Sequence, residues 1–499
     1  MIKFWQKISR LEIIVFIAGA LVMILELIGS RLLAPYLGTS IFVWTALIGI
    51  VLGALSLGYY LGGRFSAKNP SLAFLCLILF LAGLAIFLVA IFKDFILFYS
   101  TYFGVKSGTV FATIILFALP GVLLGMISPY AVRLKIKDLE SSGGIAGNLY
   151  ALSTIGSIVG TFLAGFYLIP TFGSNQIIFG LAIALILISL LGGRKIFKIL
   201  ILFFTIIIWS FFQFLPTPNI FERDSAYNHL RVVDTIDLTS QQPVRILYLA
   251  TEAHSIIFKE NEELYSKYHQ LYLLDSLFKP KIQKALTLGG GAYIAPLNFL
   301  KRYPSAEMTV VEIDPAVTAV AKNYFNLKPN PRLKILHQDA RIYLNQNKET
   351  YDVIYGDAFA SYYSIPFQLT TAEAMKKIYD ALTPDGILIL NVISSIQGKN
   401  SLFFQAEYLT LKKIFSQLYL FPARYNTNKD LTQHQNIIIV ATKGNNRLAK
   451  EQLLKTADLE QKALLDNFWD HEPKIEPGIK ILTDDFAPVD YYISKILNN

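Results

Sequence analysis

Cysteine is almost missing from this chain: Cys76 is the single one among 499 residues, and it lies in an apolar run. Intrachain disulfides are thereby excluded, as is any metal site built on several thiolates. Charge is scarce as well, at 16% of residues against 54% hydrophobic. The scarcity is uneven. Residues 1–216 hold 5 acidic against 14 basic residues, whereas the remainder holds 31 of each, so the whole net charge of +9 belongs to the first half. A basic chain ordinarily raises the question of nucleic acid. Here the basic residues sit in short loops between apolar runs, as membrane topology demands, and no nucleic-acid partner is expected.

What is abundant in the first half is long apolar sequence. A helix needs about 20 apolar residues to cross a bilayer core. Seven runs qualify: 11–30, 41–62, 71–92, 109–130, 145–169, 174–193 and 196–215. The first has no small-residue cleavage site and is read as a retained span rather than a leader. Basic loops (Lys3, Lys7 and Arg10; Arg64 and Lys68; Arg133, Lys135 and Lys137; Arg194, Lys195 and Lys198) alternate with sparse ones (Arg31, Lys93, Lys106). That alternation puts the N-terminus on the cytoplasmic side. Seven spans then leave the second half outside the cell, whereas six keep it inside. Glycines recur at helix-packing spacing, at Gly49, Gly53, Gly58 and Gly62, then Gly121 and Gly125, then Gly156 and Gly160. Glu26, inside the first run, is a candidate buried polar site.

Pro216 and Pro218 mark the exit into a second half of different texture. Leu230–Asp237 and Val244–Ala250 read as strands of a small antiparallel subdomain over residues 217–260, and 262–278 read as a helix. Strands then alternate with helices: Ala285–Leu288, Met308–Ile313, Leu333–Leu336, Tyr351–Tyr355 and Ile387–Val392. Such alternation predicts a parallel sheet with right-handed crossovers, an α/β Rossmann-like domain over 261–499. Ligands in these sheets bind beyond the carboxyl ends of the strands. Gly289, Gly290 and Gly291, Glu312, Asp339 with Ala340, and Asp357 all fall there. The glycines allow close backbone approach to a ligand. Glu312, 21 residues past Gly291, is spaced to reach a ribose diol. Taken singly, Glu312 or Asp339 reads equally well as a helix cap.

The runs Leu288-Gly289-Gly290-Gly291, Val310-Val311-Glu312-Ile313-Asp314-Pro315, Asp339-Ala340-Arg341 and Tyr351 through Phe359 resemble the spermidine synthase (polyamine aminopropyltransferase) family over residues 220–443. The likeness is to its membrane-fused branch, through Leu32 to Gly38 and Thr483 to Asp490. The resemblance implies a class I methyltransferase-type fold and decarboxylated S-adenosylmethionine as co-substrate, with no metal. It implies that Glu312 holds the ribose, that Asp339 contacts the adenine, and that Asp357 deprotonates the attacking amine. It sets His254, Tyr268 and His269 beside the substrate. The expected partners are a small-molecule amine, a polyamine by family, and the lipid bilayer of the cell membrane, with a homo-oligomer possible. Ala292 and Ala360 stand where the soluble enzymes carry carboxylates, and His254 where they carry glutamine, so the amine half of the site is altered. Two other readings stay open: an S-adenosylmethionine-dependent methyltransferase, and a polyamine transporter or sensor with a nucleoside-binding regulatory domain.

Overall fold

The structure is a computed structural model that describes residues 9–192, 195–213, 220–261, 263–358, 365–428 and 430–494. Lys3, Lys7, Arg194, the exit prolines Pro216 and Pro218, and Ala360 lie outside the described residues. The chain divides into two compact units. The first comprises Met1–Pro218 with Arg223–Ala226, and the second comprises Asn219–Glu222 with Tyr227–Asn499.

In the first unit the apolar runs fall on helices. Four helices are long and apolar enough to cross a membrane: Arg10–Leu37, Ile41–Ser66, Leu72–Lys135 and Ser142–Thr171. Ser174–Ser189 and Lys198–Ser210 are apolar but shorter. The 64 residues of Leu72–Lys135 are not one rod. The backbone turns at Gly104, where φ is +72°, and Ser71 N donates to the Tyr130 hydroxyl at 3.1 Å. The runs at 71–92 and 109–130 are therefore the two arms of a hairpin. Two stretches widen to π-helix, Ile114–Ala118 and Ala164–Leu168, just ahead of Pro120 and Pro170. Proline lacks the N–H and crowds the carbonyl four residues back, and a π turn relieves that clash. Glycine lets two of these helices touch. A Cβ on Gly156 or Gly160 would strike the backbone carbonyl of Phe16 or Ala20, so Arg10–Leu37 and Ser142–Leu163 run side by side in the same direction. Gly49 and Gly53 face open space instead.

A sheet of four strands follows in the order β1 (Phe221–Asp224), β2 (His229–Ile236), β3 (Pro243–Leu249) and β4 (Glu252–Phe258), with β3 antiparallel to both its neighbours. The sequence pattern marks the two inner strands of this subdomain and neither outer one. Leu247 pairs with Ser255 and Tyr248 with Ala253, so His254 is the extra residue of a β-bulge. A bulge kinks its strand and re-aims a side chain. The single helix expected over 262–278 is broken into Lys267–Leu271, a tighter turn at Tyr272–Leu274, and Asp275–Phe278.

The larger sheet holds β5 (Lys284–Leu288), β6 (Glu307–Glu312), β7 (Leu333–His337), β8 (Tyr351–Gly356), β9 (Leu382–Ser394), β10 (Gln417–Pro422) and β11 (Gln435–Thr442). Their order is β10-β11-β9-β8-β5-β6-β7. The β5–β6, β6–β7, β5–β8 and β8–β9 pairs are parallel, and β11 runs antiparallel to both neighbours. This is a methyltransferase-like Rossmann fold. Alternate residues feed two cores: Leu286, Leu288 and Ile354 pack on one face, and Ala285, Val353 and Tyr355 on the other. From β5 the chain moves outward through β6 to β7, then returns to the far side of β5 as β8. The order therefore reverses between β5 and β8, and ligands in open α/β sheets collect at such a switch point.

Candidate active site

At that switch point the turn after β5 meets the turn after β8. Asp357 N donates to Leu288 O at 3.0 Å, and Gly289 N donates to Val311 O at 2.9 Å. Gly289 has φ +94° and Gly291 has φ +51°, a backbone region that L side chains rarely adopt. A Cβ on Gly289 would collide with the Asp357 carbonyl, and one on Gly291 would lie 3.0 Å from the His254 ring. The glycines thus keep open a cradle that any larger residue would fill.

Glu312, at the end of β6, is buried and turned onto this cradle. One carboxylate oxygen accepts from Gly290 N at 2.8 Å and Gly291 N at 3.3 Å, and the other accepts from Asp314 N at 2.9 Å. The first oxygen is thereby saturated, and the second keeps a lone pair for a ligand hydroxyl. Asp339 follows β7 on the same rim. Its Oδ1 caps the helix Ala340–Gln346 by accepting from Ile342 N at 3.0 Å, the local role its position also allowed. Ala340 is the buried first residue of that helix.

A cleft opens beside the glycine turn. It is lined by His254, Ser255, Tyr268, His269, Tyr272, Gly289, Gly290, Gly291 and Asp357, among others. The structure therefore gathers seven of the sequence-selected residues around one opening: the three glycines, His254, Tyr268, His269 and Asp357. Glu312 holds two of the glycine amides without lining the cleft itself, and Asp339 and Ala340 do not line it either.

Burial pushes the Asp357 carboxyl above the ordinary carboxylate range; the Asn391 hydrogen bond and the nearby His254 and Tyr272 pull in the opposite direction. The Asn391 amide donates to Asp357 Oδ1 at 2.9 Å, and Asn436 donates to Asn391 Oδ1 at 3.0 Å. The Tyr272 hydroxyl lies close enough to favour the Asp357 anion, but it is buried outside hydrogen-bonding geometry. Burial lowers His269 to about 3, so the imidazole is neutral, and its Nδ1 has no partner. The Tyr268 and His269 rings pack 4.0 Å apart. Beneath them Asp275, fully buried, takes Arg302 through two bonds of 2.9 and 2.7 Å and the hydroxyls of Tyr303 and Tyr355. Tyr355 in turn packs against Tyr272, with ring centroids 5.3 Å apart and planes tilted by 45°.

Sequence reasoning missed Tyr272, Ser255 and Asn391. Tyr272 lies four residues past Tyr268, one helical turn away, which the pattern could have shown. Asn391 interrupts the apolar run Ile387-Leu388-Ile389-Leu390, and a lone amide in a buried strand needs a partner. Ser255 Oγ accepts from Ala292 N at 3.2 Å across a distance of 37 residues, which carries no local signal.

The sequence profile of the spermine/spermidine synthase domain matches residues 269–443. A polyamine aminopropyltransferase of Vibrio vulnificus is 31% identical over 165 residues, 32% of this chain and 53% of that one. The chain thus spans about half the length of that relative. The polyamine aminopropyltransferase 2 of Aquifex aeolicus is 24% identical over 76% of this chain and 78% of its own, so that match runs through both units. Among solved structures, a probable spermidine synthase from Corynebacterium glutamicum is 20% identical and covers 54% of this chain and 97% of its own, with a TM-score of 0.44. Residues 269–443, which hold β5 to β11 and the glycine turn, are thus similar to the spermine/spermidine synthase domain.

Proposed function

We propose that the second unit transfers an aminopropyl group from decarboxylated S-adenosylmethionine to an amine. The observation that carries this reading is the meeting, at the switch point, of the glycine cradle with the half-buried carboxylate of Asp357. The adenosyl part would lie along the rim, with a ribose hydroxyl on the free lone pair of Glu312 and the adenine toward Asp339. Three backbone bonds leave Glu312 one lone pair, on the oxygen that takes Asp314 N, and Asp339 keeps Oδ2 after capping its helix.

An ammonium has no lone pair with which to attack carbon. Asp357, oriented by Asn391, accepts the proton of the incoming amine. The freed lone pair forms the new N–C bond at the methylene beside the sulfonium. The C–S bond breaks with its electron pair on sulfur, leaving a neutral thioether, 5′-methylthioadenosine. No step calls for a metal. His254, Tyr268 and His269 wall the acceptor in and shield the reacting atoms from water.

The first unit we read as a multi-pass membrane anchor in the cell membrane. The support is its four long apolar helices and its basic loops. Mass-spectrometric product analysis tests the chemistry: the purified chain is offered both S-adenosylmethionine and its decarboxylated form with a panel of amines. Aminopropylated amine with stoichiometric 5′-methylthioadenosine is expected. Methylated product with S-adenosylhomocysteine would replace this reading by methyl transfer.

A further inference from the structure

The apolar half admits two topologies: six crossings, which keep the second half in the cytoplasm, or seven, which carry it out. Contacts within the first unit separate them. Its basic loops gather at one end. Glu12 pairs with Lys135 there. Ser71 N meets the Tyr130 hydroxyl, which brings the loop of Arg64 and Lys68 beside that of Arg133 and Lys135. The last basic loop joins them. A Cβ on Gly192 would lie 3.3 Å from Leu72 O, and buried Lys198 donates to Ser189 O at 2.6 Å and Gly192 O at 2.8 Å. Positive charge collects in the cytoplasmic loops of membrane proteins, so this is the cytoplasmic end.

The helix Lys195–Gln213 starts at that end and leaves it. Lys198 ties it to the C-terminus of Ser174–Ser189, and Trp209 packs on Phe179 near the N-terminus of the same helix, with ring centroids 6.3 Å apart. Lys198 and Trp209 are 11 residues apart, and Ser189 and Phe179 are 10 apart, about 17 and 15 Å at 1.5 Å per residue. The two helices are therefore antiparallel neighbours, and Lys195–Gln213 does not lie in the plane of the interface. Its 19 residues rise about 28 Å, the depth of a hydrocarbon core.

Different contacts mark the far end. Arg31 donates to Ala226 O at 2.7 Å and also to Ser225 O, and Asp224 Oδ2 accepts from Ser174 N at 2.5 Å. Glu12 and Arg31 are 19 residues apart on one helix, about 28 Å. Arg223–Ala226, a segment of the first unit, is thus fastened opposite the basic loops, and the next residue, Tyr227, belongs to the second unit. Six crossings would put Asp224 at the Lys198 end, about 22 Å along the helix from Ser174 N. We infer that Lys195–Gln213 is a seventh crossing and that the second unit works on the extracytoplasmic face, its cleft taking donor and acceptor from that side. This rests on the membrane-anchor reading and gives it a direction. The identity of the transferred group does not enter.

The test is labelling of single-cysteine full chains in intact cells with a membrane-impermeant maleimide, before and after the cells are permeabilised. Cys76→Ala removes the native thiol. Leu139→Cys then reports on a basic loop, and Leu238→Cys on the turn between β2 and β3; these positions are 90% and 88% exposed. Leu459→Cys, also 88% exposed, is a second reporter on the second unit should Leu238→Cys fail to fold. The expected result is labelling of Leu238→Cys and Leu459→Cys in intact cells and of Leu139→Cys only after permeabilisation. The reverse pattern, or the same response from both units, overturns the sidedness and leaves the anchor reading standing. Release of the chain from membranes by alkaline carbonate overturns the anchor reading, and the sidedness with it.

Discussion

Asn391 offers the sharpest handle on the candidate base. It sits on β9, buried, with its amide oxygen held by Asn436 and its amide nitrogen on Asp357 Oδ1. Because Asn436 donates to the oxygen, only the nitrogen is left to face Asp357, so the relay fixes the amide orientation. A hydrogen bond to an ionised acceptor contributes about 1.5–3 kcal/mol. Asn391→Ala should therefore disfavour the Asp357 anion by that amount, equivalent to about ten- to hundredfold in the ionised fraction under acidic conditions. The direction follows from the signs. Burial already holds the Asp357 carboxyl above its ordinary range, and the Asn391 bond opposes that. Losing the bond raises it further, and the protonated acid cannot take the amine's proton. The acidic limb of the kcat/KM profile should thus move to higher pH, while the rate at alkaline pH stays within about threefold of the parent. Asn436→Ala should shift the limb the same way by less. A loss that is uniform across pH, or no loss at all, would refute the coupling between the relay and the base.

Other perturbations follow from the same geometry. Gly289→Ala puts a Cβ against the Asp357 carbonyl at φ +94°, so about 2 kcal/mol or more of stability should go, with donor binding lost in calorimetry. Parent-like melting and binding would contradict the close approach. Asp275→Asn leaves the Arg302 guanidinium without its anion beneath the Tyr272–Tyr355 pair, and about 3–5 kcal/mol should disappear from chemical denaturation.

Much of this fold was legible because period and punctuation agreed. The strands that became β5 to β8 were marked by apolar runs with glycine or an acidic residue at or just past their ends, and those ends are where the sheet gathers its functional groups. Asp357 and the glycines sit side by side because β8 returns next to β5, which follows from the crossover rule rather than from either motif. What stayed hidden is long-range. The bulge that swings His254 to the glycine turn depends on pairing with β3, and the break at Tyr272–Leu274 depends on Asp275 meeting Arg302. Neither has a local signal. In the first unit, the separation of the runs 71–92 and 109–130 was readable, and the turn at Gly104 falls between them, whereas the π-helical widenings ahead of Pro120 and Pro170 were not foreseen. Asp339 had two readings from the start, and the structure gives the cap without removing the other.

The most direct measurement pairs binding with turnover in Asp357→Asn. The amide keeps the shape of the side chain and its oxygen for Asn391, but it cannot accept a proton. The full chain carrying this change should bind decarboxylated S-adenosylmethionine within about twofold of the parent in calorimetry. Its release of 5′-methylthioadenosine should fall by about a hundredfold or more, the usual contribution of a positioned base. Turnover at the parental rate would contradict the account, because the one carboxylate at the meeting of the two turns would then have no part in the chemistry.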